Sequence, residues 1–517
     1  MLRRSARKLE HALDRPYEAQ RELLATLLRQ SAKTEYGRVL GLKGDESYTE
    51  FSRKVPIVKY EQLEPWIERQ KSTGYKVLSS GKVALYEKTS GSSGGKKYIP
   101  YTRELLGSFH TLVFVWLHDL LANGPELTTG KVFFSISQPF QDPEIAKNGT
   151  PVGMGNDTDY LSPLTRFFLG SCFIAPPGIS QIKDPLAYKR VLAGALLAEE
   201  KLEIISIWNP TYLTTLLDYI VQNRETLVRD LRSGSVTVEG RRFEFAPLSA
   251  ARARQLESGE PSWPAIWPEL KLLSCWTDGS AEFFARRLYR EFPGVTIQGK
   301  GLLATEAPMT VPLFGAPGPV PLTNEIFFEF EGEDGIVRRI HELRAGKTYE
   351  LIFSQKGGFL RYRIGDRVTV VGQYRQTPCF RFCGRANDVS DLVGEKLNAQ
   401  FVHAALDKVI GARAEDSFSF LVPMQREGEP SFYYCITSEH RAGDWAAELE
   451  RELGEAHQYS QARKLGQLGP LRMQVAKDAR DAYYGHFMSR GMKWGDIKFS
   501  PLMKSADDDF LHRLGVA

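Results

Sequence analysis

Residues that could bind a ligand are most concentrated in one short segment of this chain. It is a loop between Lys88 and Thr102 that is rich in glycine, serine and lysine. Glycine lets the backbone approach an anion closely, so successive amide groups can point at one cluster of oxygens while hydroxyls supply further donors. The donors in the loop are Ser90, Gly91, Ser92, Ser93, Gly94 and Lys96. This pattern predicts a phosphate-binding loop whose natural ligand is a nucleotide.

The loop differs from a Walker loop, in which Gly-x-x-x-x-Gly-Lys-Ser/Thr opens directly into a helix. Here Lys96 is followed by Lys97, Tyr98, Ile99 and Pro100, which indicate a strand. The difference implies another kind of ATP chemistry. A glycine- and serine-rich hairpin that binds nothing would have the same composition, so the loop alone leaves both interpretations open.

Two carboxylates follow predicted strands and could complete a nucleotide site. Leu302-Leu-Ala-Thr-Glu306 stands at the predicted carboxyl end of a parallel strand, where open α/β sheets bind ligands. There Glu306 could hold Mg²⁺, and the Thr305 hydroxyl could meet the α-phosphate of ATP. Gly365 and Asp366 predict a turn after a strand, from which the carboxylate could accept both hydroxyls of a ribose. Ordinary strand-end turns also contain such residues.

A hinge and a late lysine are the remaining polar features. The segment from Gly384 to Lys396 is polar and flanked by glycine, and it stands where the character of the chain changes, which predicts an interdomain hinge. Gly495-Asp-Ile-Lys498 lies beyond it, so closure of the hinge could bring Lys498 to the cleft. By composition alone Lys498 would be a surface lysine.

The length of 517 residues predicts two unequal domains, which we place at residues 1–384 and 385–517. An apolar fraction of 42% and a charged fraction of 25% are those of an ordinary globular protein. A net charge of +4 is too weak to imply a nucleic-acid or membrane partner. The basic start lacks the apolar stretch of a secretory signal, and the 5 cysteines are scattered, which favours reduced thiols and a cytoplasmic protein.

Apolar periodicity predicts an α/β fold for the large domain. The pattern is helical across residues 17–30 and again after Thr102, which can cap a helix that runs to Leu121. Strands and helices then alternate as far as Lys300. This order of segments predicts an open α/β sheet.

The character of the chain changes beyond Asn324, where short strands follow one another closely. Separate strands are predicted at 359–364 and 367–371, around the turn at Gly365-Asp366. This portion should form a β-rich subdomain of the large domain. The segments after Gly384 predict a compact α+β unit as the small domain.

The order of these motifs resembles that of the adenylate-forming superfamily, and most closely its Gretchen Hagen branch, the auxin-responsive acyl acid amido synthetases. The resemblance runs nearly end to end and is densest in the central block of the chain. The segments that carry it are Thr34-Glu-Tyr-Gly37, Val55-Pro-Ile-Val-Lys-Tyr-Glu-Gln-Leu-Glu-Pro-Trp66, the loop Thr89-Ser-Gly-Ser-Ser-Gly-Gly95, Leu302-Leu-Ala-Thr-Glu306, Phe327-Phe-Glu-Phe330, Gly346-Lys-Thr-Tyr-Glu-Leu351, Arg361-Tyr-Arg-Ile-Gly-Asp366, Phe382-Cys-Gly-Arg385, Gly394-Glu-Lys-Leu397 and Gly495-Asp-Ile-Lys498-Phe-Ser-Pro501.

The resemblance implies an ATP- and Mg²⁺-dependent ligase that acts in two steps. A carboxylic acid first becomes an acyl-adenylate with release of pyrophosphate, and an amine, usually that of an amino acid, then displaces AMP to form an amide. Both partners are small molecules. We expect a monomer or a weak homodimer, with neither nucleic acid nor a membrane as a partner.

The resemblance also implies a role for each site residue. Attack of a carboxylate on the α-phosphorus brings anions together, so cationic and hydrogen-bonding groups are needed there. The implied catalytic residues are Thr305 at the α-phosphate, Glu306 at the metal and Lys498 at the charge that builds between the acyl oxygen and the phosphorus. The implied nucleotide ligands are Ser90, Gly91, Ser92, Ser93, Gly94 and Lys96 at the phosphates, Asp366 at the ribose, Thr277 and Gly279 beside the adenine, and Arg385.

One departure from the family pattern concerns the adenine. The Tyr-Ala-Ser-Ser-Glu motif of the family opens on an aromatic residue, whereas this chain has Leu302, so a neighbour such as Trp276 or Tyr362 would have to stack on the base. The acyl pocket is expected between residues 109–116 and 161–173, whose aromatic content suggests an aromatic or otherwise apolar acid.

Two other functions are compatible with the same residues. An acyl-CoA ligase would share the adenylation step and use a thiol in place of the amine. A protein that kept the fold and lost catalysis would only bind nucleotide. The presence of Glu306, Asp366 and Lys498 argues against this second alternative, because folding does not obviously require all three.

Overall fold

The structure, a computed structural model of the 517-residue chain, describes most of the sequence. The described residues are 1–74, 76–89, 97–134, 144–153, 172–174, 176–279, 281–385, 389–390, 392–393, 395–410, 418–424, 433–439, 445–465, 467–492, 494 and 497–515. Internal packing divides the chain into unit 1, Met1–Asp278 with Leu288–Phe382, and unit 2, Gly279–Arg287 with Cys383–Ala517. The domain boundary between residues 384 and 385 stays a prediction.

Most of the described residues belong to helices or strands. The helices are α1 (Leu2–Asp14), α2 (Pro16–Ser31), α3 (Glu35–Val39), α4 (Tyr48–Lys54), α5 (Tyr60–Thr73), α6 (Arg103–Asn123), α7 (Pro185–Ala198), α8 (Pro210–Gln222), α9 (Arg224–Ser233), α10 (Ala250–Glu257), α11 (Trp263–Ile266), α12 (Ala281–Glu291), α13 (Ala399–Ile410), α14 (Trp445–Leu453), α15 (His457–Lys464), α16 (Ala479–Ser489) and α17 (Asp508–Arg513). Short 3₁₀ helices lie at Ile179–Gln181 and Ile340–Glu342.

The strands form several separate sheets. They are β1 (Val83–Thr89), β2 (Lys97–Thr102), β3 (Lys131–Phe134), β4 (Glu144–Ile145), β5 (Pro151–Val152), β6 (Leu202–Ser206), β7 (Ser235–Val238), β8 (Arg241–Glu244), β9 (Leu272–Cys275), β10 (Thr296–Gly299), β11 (Leu303–Ala304), β12 (Ala307–Pro308), β13 (Thr310–Val311), β14 (Val320–Pro321), β15 (Phe327–Glu331), β16 (Val337–Arg339), β17 (Thr348–Ser354), β18 (Tyr362–Tyr374), β19 (Thr377–Arg385), β20 (Val389–Ser390), β21 (Leu397–Asn398), β22 (Ser419–Met424), β23 (Tyr433–Ser438) and β24 (Arg472–Val475).

Helices α1 to α5 form the N-terminal part of unit 1. The helix predicted at residues 17–30 is confirmed as α2, and the basic start forms α1. Thr34 caps α3, because its hydroxyl oxygen accepts the N–H of Gly37 at 2.9 Å while the hydroxyl donates to the carbonyl of Ser31 at 2.7 Å. A Cβ at Gly37 would lie 1.9 Å from that carbonyl oxygen, so only glycine fits. The first motif of the resemblance is therefore an element of packing and capping.

A parallel sheet with strand order β10, β9, β6, β3 lies in unit 1 and confirms the predicted open α/β sheet. Strands β6 and β9 are buried along their whole length, as expected when both faces of a parallel sheet are covered. Within two residues of their carboxyl ends, β6, β9 and β10 lead to Trp208, Trp276 and Lys300.

An antiparallel sheet with order β16, β15, β17, β18, β19 confirms the predicted β-rich subdomain. The two strands predicted at 359–364 and 367–371 are one continuous strand, β18, so the predicted turn at Gly365 and Asp366 is wrong. The pairing shifts from Glu350 opposite Arg367 to Ile352 opposite Arg363, which makes a β-bulge at residues 364–366. Pairing with the preceding strand β17 keeps residues 365 and 366 within one strand despite the glycine.

Helix α6 begins at Arg103, directly after Thr102, the residue predicted to cap it. The Thr102 hydroxyl oxygen accepts the N–H of Leu105 at 3.1 Å. Buried residues of α6, including Phe109 and Trp116, lie on a helix that packs against α1, β2, β12 and β13. Among the described residues, α6 alone has the length and composition of a membrane-crossing helix, a criterion that core helices of globular proteins also meet.

Unit 2 is built around the sheet β22, β23, β24, with α13 to α17 alongside, and has the predicted α+β character. Its core is rich in aromatic residues, among them Phe418, Tyr483 and Phe499. The first turns of α12 belong to this unit. The ring of Phe284 packs on those of Phe418 and Phe499, with centroids 6.1 Å and 5.1 Å away.

Candidate active site

Thr305 and Glu306 form the tip of a hairpin, and not the end of a parallel strand as predicted. Strands β11 and β12 pair antiparallel, with Ala304 opposite Ala307. Each has only 2 residues, too few for apolar periodicity to indicate them, and the preceding parallel strand β10 already ends at Gly299. The tip brings a hydroxyl and a carboxylate together on one tight turn.

Two buried tyrosines hold this hairpin tip. The hydroxyl of Tyr101 donates to the backbone carbonyl of Thr305 at 2.7 Å, and that of Tyr362 donates to Glu306 Oε1 at 3.4 Å. Burial raises the pKa of Tyr362 above its usual value, and the Glu306 carboxylate raises it further. Tyr362 therefore stays a donor. Glu306 itself is only 8% exposed, which keeps its carboxylate away from bulk water.

The glycine- and serine-rich loop connects β1 and β2, which pair antiparallel up to Thr89 opposite Lys97. The strand predicted after the loop is thereby confirmed as β2. Its predicted ligands lie outside the described residues; they are Ser90, Gly91, Ser92, Ser93, Gly94 and Lys96. Tyr101, which holds Thr305, stands on β2, so the strand that leaves the loop also contacts the hairpin tip.

Asp366 lies in the bulge of β18 and is 4% exposed. Bulges often occur next to binding sites, where they redirect a side chain. Tyr362, on the same strand, donates to Glu306. Strand β18 therefore connects the predicted ribose ligand with the hairpin tip inside unit 1, and ribose binding by Asp366 stays a prediction.

The residues predicted beside the adenine follow strand β9. Thr277 is half-buried in unit 1, and Gly279, with φ at 61°, is the first residue of the α12 segment of unit 2. Of the two aromatic candidates for stacking on the base, Tyr362 is only 2% exposed and belongs to the core. Trp276 is half-buried at the carboxyl edge of the parallel sheet, so it is the more accessible of the two.

A lysine–tryptophan cluster, defined as Lys300, Trp116, Trp208, Trp276 and Ser206, occupies the carboxyl edge of the parallel sheet. Lys300 Nζ donates to Ser206 Oγ at 2.7 Å and lies 4.9 Å from the ring centroid of Trp208 and 6.0 Å from that of Trp116. The rings of Trp208 and Trp276 are 5.9 Å apart. Lys300 and Trp208 are not among the predicted site residues, although both closely follow an apolar strand, where α/β sheets bind ligands.

The predicted hinge is described only in part, since residues 386–388, 391 and 394 lie outside the described ranges. Arg385 ends β19 and is half-buried in unit 2. Glu395 is fully buried, and its carboxylate accepts the N–H of Leu392 and the hydroxyl of Tyr434. This end of the segment is therefore packed into unit 2.

Lys498 has an exposed side chain on a segment of unit 2 that is neither helix nor strand. Its neighbours Ile497 and Phe499 are buried. Tyr483 holds the backbone on both sides of Phe499, because its hydroxyl oxygen accepts the N–H of Ser500 at 2.9 Å and the hydroxyl donates to the Lys498 carbonyl at 3.4 Å. The structure thus anchors the main chain around Lys498 and leaves its ammonium group accessible to solvent.

Replacing Tyr101 with phenylalanine should weaken catalysis more than folding. Tyr101→Phe removes the bond to Thr305 but keeps the ring, which stacks on Phe109 with centroids 5.3 Å apart. We expect a loss of about 1 kcal/mol in the free energy of unfolding, because one buried hydrogen bond is lost. Misplacement of the hairpin tip should lower the rate of acyl-adenylate formation by roughly tenfold. Urea unfolding and ATP–pyrophosphate exchange measure the two effects.

Tyr48→Phe is the matched control for this substitution. It also removes one tyrosine hydroxyl, which donates to Glu329 Oε1 at 2.9 Å, and it leaves the hairpin tip untouched. Equal loss of exchange in the two variants would show that Tyr101 acts only through stability.

Curated relatives match most of the chain at low identity. The "probable indole-3-acetic acid-amido synthetase GH3.12" of Oryza sativa subsp. japonica is 23% identical over 571 residues, which cover 93% of this chain and 90% of the relative. The "4-substituted benzoates-glutamate ligase GH3.12" of Arabidopsis thaliana is 23% identical, with 94% of this chain and 92% of the relative covered.

Solved structures share the fold. The "AtGH3.15 acyl acid amido synthetase in complex with 2,4-DB" has a TM-score of 0.86 and 19% identity, over 100% of this chain and 96% of that chain. A 2-hydroxyisobutyryl-CoA ligase in the postadenylation state, in complex with R3-HIB-AMP, has a TM-score of 0.58 and 12% identity, over 98% and 94% of the two chains. These matches confirm the α/β fold class with a large N-terminal and a smaller C-terminal domain.

Family models match nearly the whole sequence in order. The GH3 family N-terminal domain matches residues 5–297, the GH3 family central domain residues 320–385, and the GH3 family C-terminal domain residues 399–507. These matches confirm the resemblance carried by the motifs, from the Thr34 segment to the Lys498 segment: the chain belongs to the GH3 family.

Proposed function

We propose that this chain is an acyl acid amido synthetase, which joins a carboxylic acid to an amino acid through an acyl-adenylate. Membership of the GH3 family supports the proposal, and the names of the relatives describe amido synthetase and ligase activities. The structural observation that carries it is the hairpin of Thr305 and Glu306. It presents a hydroxyl beside a buried carboxylate and is tied to Tyr101 and Tyr362.

The proposed reaction has two steps. In the first, a carboxylate oxygen of the acid attacks the α-phosphorus of ATP, the bond to the β-phosphate breaks, and pyrophosphate leaves. In the second, the amino nitrogen attacks the acyl carbon, the bond to AMP breaks, and the nitrogen loses a proton. Since the first step joins two anions, it needs cations and hydrogen-bond donors around the α-phosphate.

We assign the residues of this chain to those needs as the family resemblance implies. Thr305 would donate to the α-phosphate, Asp366 would accept the ribose hydroxyls, and Lys498 would stabilise the charge that develops in the first step. The remaining nucleotide ligands would be the loop residues Ser90, Gly91, Ser92, Ser93, Gly94 and Lys96, together with Thr277, Gly279 and Arg385.

Magnesium fits the hairpin tip as an ion held mostly by phosphate oxygens. ATP-dependent enzymes usually hold Mg²⁺ through one or two carboxylates, substrate phosphates and water. Glu306 supplies one buried carboxylate, and within the described ranges no group of three or more His, Cys, Asp or Glu could form a cage. Glu306 would therefore hold Mg²⁺ against the phosphates, and the ion would supply positive charge there.

The reaction is proposed to take place in the cytoplasm. None of the five cysteines, all of which the structure describes, forms a disulfide, and Cys172 and Cys383 are half-buried, which suits a reducing compartment. We propose a monomer or a weak homodimer.

The proposed function and its nearest alternative differ in the group that accepts the acyl chain, which is an amine in one and a thiol in the other. An acyl-CoA ligase performs the same adenylation and then uses a thiol. The likeness to 2-hydroxyisobutyryl-CoA ligase concerns the fold, at 12% identity, whereas the GH3 family models span all three parts of this chain. An amine is therefore the better supported acceptor.

The test is an ATP–pyrophosphate exchange assay over a panel of carboxylic acids, followed by mass analysis after addition of amino acids or coenzyme A. We expect acid-dependent exchange and a product with the mass of an amide. Glu306→Gln should reduce exchange by about a hundredfold, because the charge at the phosphates is lost. Glu333→Gln, which changes an exposed carboxylate, should keep the wild-type rate of exchange. A thioester product, or no exchange with any acid, would contradict the proposal.

A further inference from the structure

Lys300 is a half-buried cation that pairs with no carboxylate of the described residues. Among the residues that the structure describes, its ammonium donates to the Ser206 hydroxyl and faces indole rings, and no aspartate or glutamate pairs with it. Burial lowers the pKa of Lys300 to about 8, so the amine still carries its proton at pH 7. Burial also raises the pKa of the nearby Cys275 thiol to about 12, which keeps that thiol neutral.

Packing alone does not explain why a protonated lysine is half-buried without a described carboxylate partner. A charge that leaves water is unfavourable unless it is paired, and the faces of tryptophan offset only part of that loss. Elsewhere in the same sheet region the rule is followed, because Lys271 pairs with the buried carboxylate of Glu203 at 3.0 Å. An anion bound from outside the chain would complete the corresponding pair at Lys300.

Helix α6 has side chains near both the hairpin tip and Lys300. Near the start of the helix, Phe109 stacks on Tyr101, which holds Thr305. Trp116, which faces Lys300, follows seven residues later on the same face, roughly 10 Å further along the axis. Thr305 and Lys300 therefore stand at the two ends of one helical face.

The surface between those ends is apolar and accessible. Leu112 and Val113 lie on the same face of α6 between the two aromatic residues, and both are half-buried. Trp208 and Trp276, also half-buried, stand at the carboxyl edge of the parallel sheet, which is where such sheets bind ligands. A flat apolar molecule could lie along these side chains with one end at the hairpin tip and the other at Lys300.

We propose that Lys300 is a specificity residue that binds a second carboxylate of the acyl substrate, at the end opposite the carboxylate that is adenylated. The substrate class is then a dicarboxylic acid with an aromatic body. The tryptophans contact the body, the Ser206 hydroxyl orients the ammonium, and Lys300 supplies the charge. This inference rests on the proposed function, because that function makes Thr305 the reacting end.

Equilibrium binding tests the inference without turnover, since three indoles of the cluster report on the site. The full-length protein is titrated with para-carboxycinnamate and with cinnamate, which lacks the second carboxylate, and tryptophan fluorescence is followed. We expect the wild type to bind the diacid at least about tenfold more tightly than the monoacid. Lys300→Met should remove that preference and Lys300→Arg should keep most of it. Lys201→Met, which changes an exposed lysine of unit 1, should retain the wild-type preference.

Turnover distinguishes failure of this inference from failure of the proposed function. With the diacid, Lys300→Met should raise KM while kcat changes little. If the Lys300-dependent preference is found and no acid supports exchange, the anion site is confirmed and the amido synthetase activity is wrong. If exchange occurs but the wild type binds both acids equally, or Lys300→Met keeps the wild-type ratio, the specificity role is overturned. If Lys300→Met does not fold, the wild-type affinities for the diacid and the monoacid still test the inference, because equal affinities would overturn it.

Discussion

Lys498→Ala should lower the rate of acyl-adenylate formation by about a hundredfold, which corresponds to roughly 3 kcal/mol of transition-state stabilisation. The lysine would act as a preorganised donor to the charge that appears between the acyl oxygen and the α-phosphorus. Its effect belongs to the transition state, so the rate should fall even at saturating ATP and acid. Single-turnover formation of the acyl-adenylate measures it.

Folding should survive this substitution, because the Lys498 side chain is exposed and backbone hydrogen bonds hold the segment in place. The main chain is joined to β22, where the carbonyl of Pro501 accepts the N–H of Leu421 at 2.8 Å. The buried side chains on either side of Lys498 are unchanged. A fall in rate can therefore be attributed to the missing ammonium.

Lys504→Ala is the matched control for Lys498→Ala. It removes the same charge from another exposed lysine of the same segment and should keep the wild-type rate. If the two variants form acyl-adenylate equally fast, Lys498 has no catalytic role.

Arg361→Met should lower the free energy of unfolding by about 3 to 5 kcal/mol, because it leaves a buried carboxylate without its cation. Arg361 Nε and Nη2 each donate to the Glu329 carboxylate at 2.9 Å, with the two side chains 7% and 0% exposed. Nη1 donates to the carbonyls of Ser52 and Val55 at 2.8 Å and 2.9 Å. Urea unfolding followed by circular dichroism measures the change.

Two further variants show whether the buried charge is the cause. Arg232→Met breaks an exposed pair with Glu257 and should cost less than about 1 kcal/mol. Combining Arg361→Met with Glu329→Leu should recover much of the loss, because no charge then stays buried. Equal stabilities of the single variants at Arg361 and Arg232 would contradict this account of the pair.

This ion pair gives several motifs of the family resemblance a role in holding the fold. Arg361, Glu329 and Val55 come from three motifs that are far apart in the sequence and meet in one buried network. Thr34 and Gly37, from a fourth motif, cap and pack a short helix. Motif matching identifies the family, and the contacts then separate the residues that hold the fold from those available for chemistry.

Local signals predicted most of the fold. Thr102 was recognisable as a cap because its hydroxyl serves a backbone N–H only three residues away. The helix at residues 17–30 and the alternating segments before Lys300 have clear apolar periods, which depend on near neighbours only. Such elements can be predicted from one sequence.

Features that depend on strand pairing or on packing between segments could not be predicted. Gly365 and Asp366 have the composition of a turn, but pairing with β17 makes them a bulge. Thr305 and Glu306 lie between strands of 2 residues, whose pairing leaves no period in the sequence. The side chains around Lys300 come from separate segments, and only packing of the sheet against α6 brings them together.

The place of α12 limits how this protein can be divided for engineering. A fragment that starts at residue 385 would lack Phe284 and would expose the rings of Phe418 and Phe499 that it covers. A chimera joined at the hinge would combine this helix from one parent with the aromatic core of another. Recombination between family members should therefore transfer residues 279–287 together with the chain after residue 382, so that Phe499, next to Lys498, keeps its own packing partner.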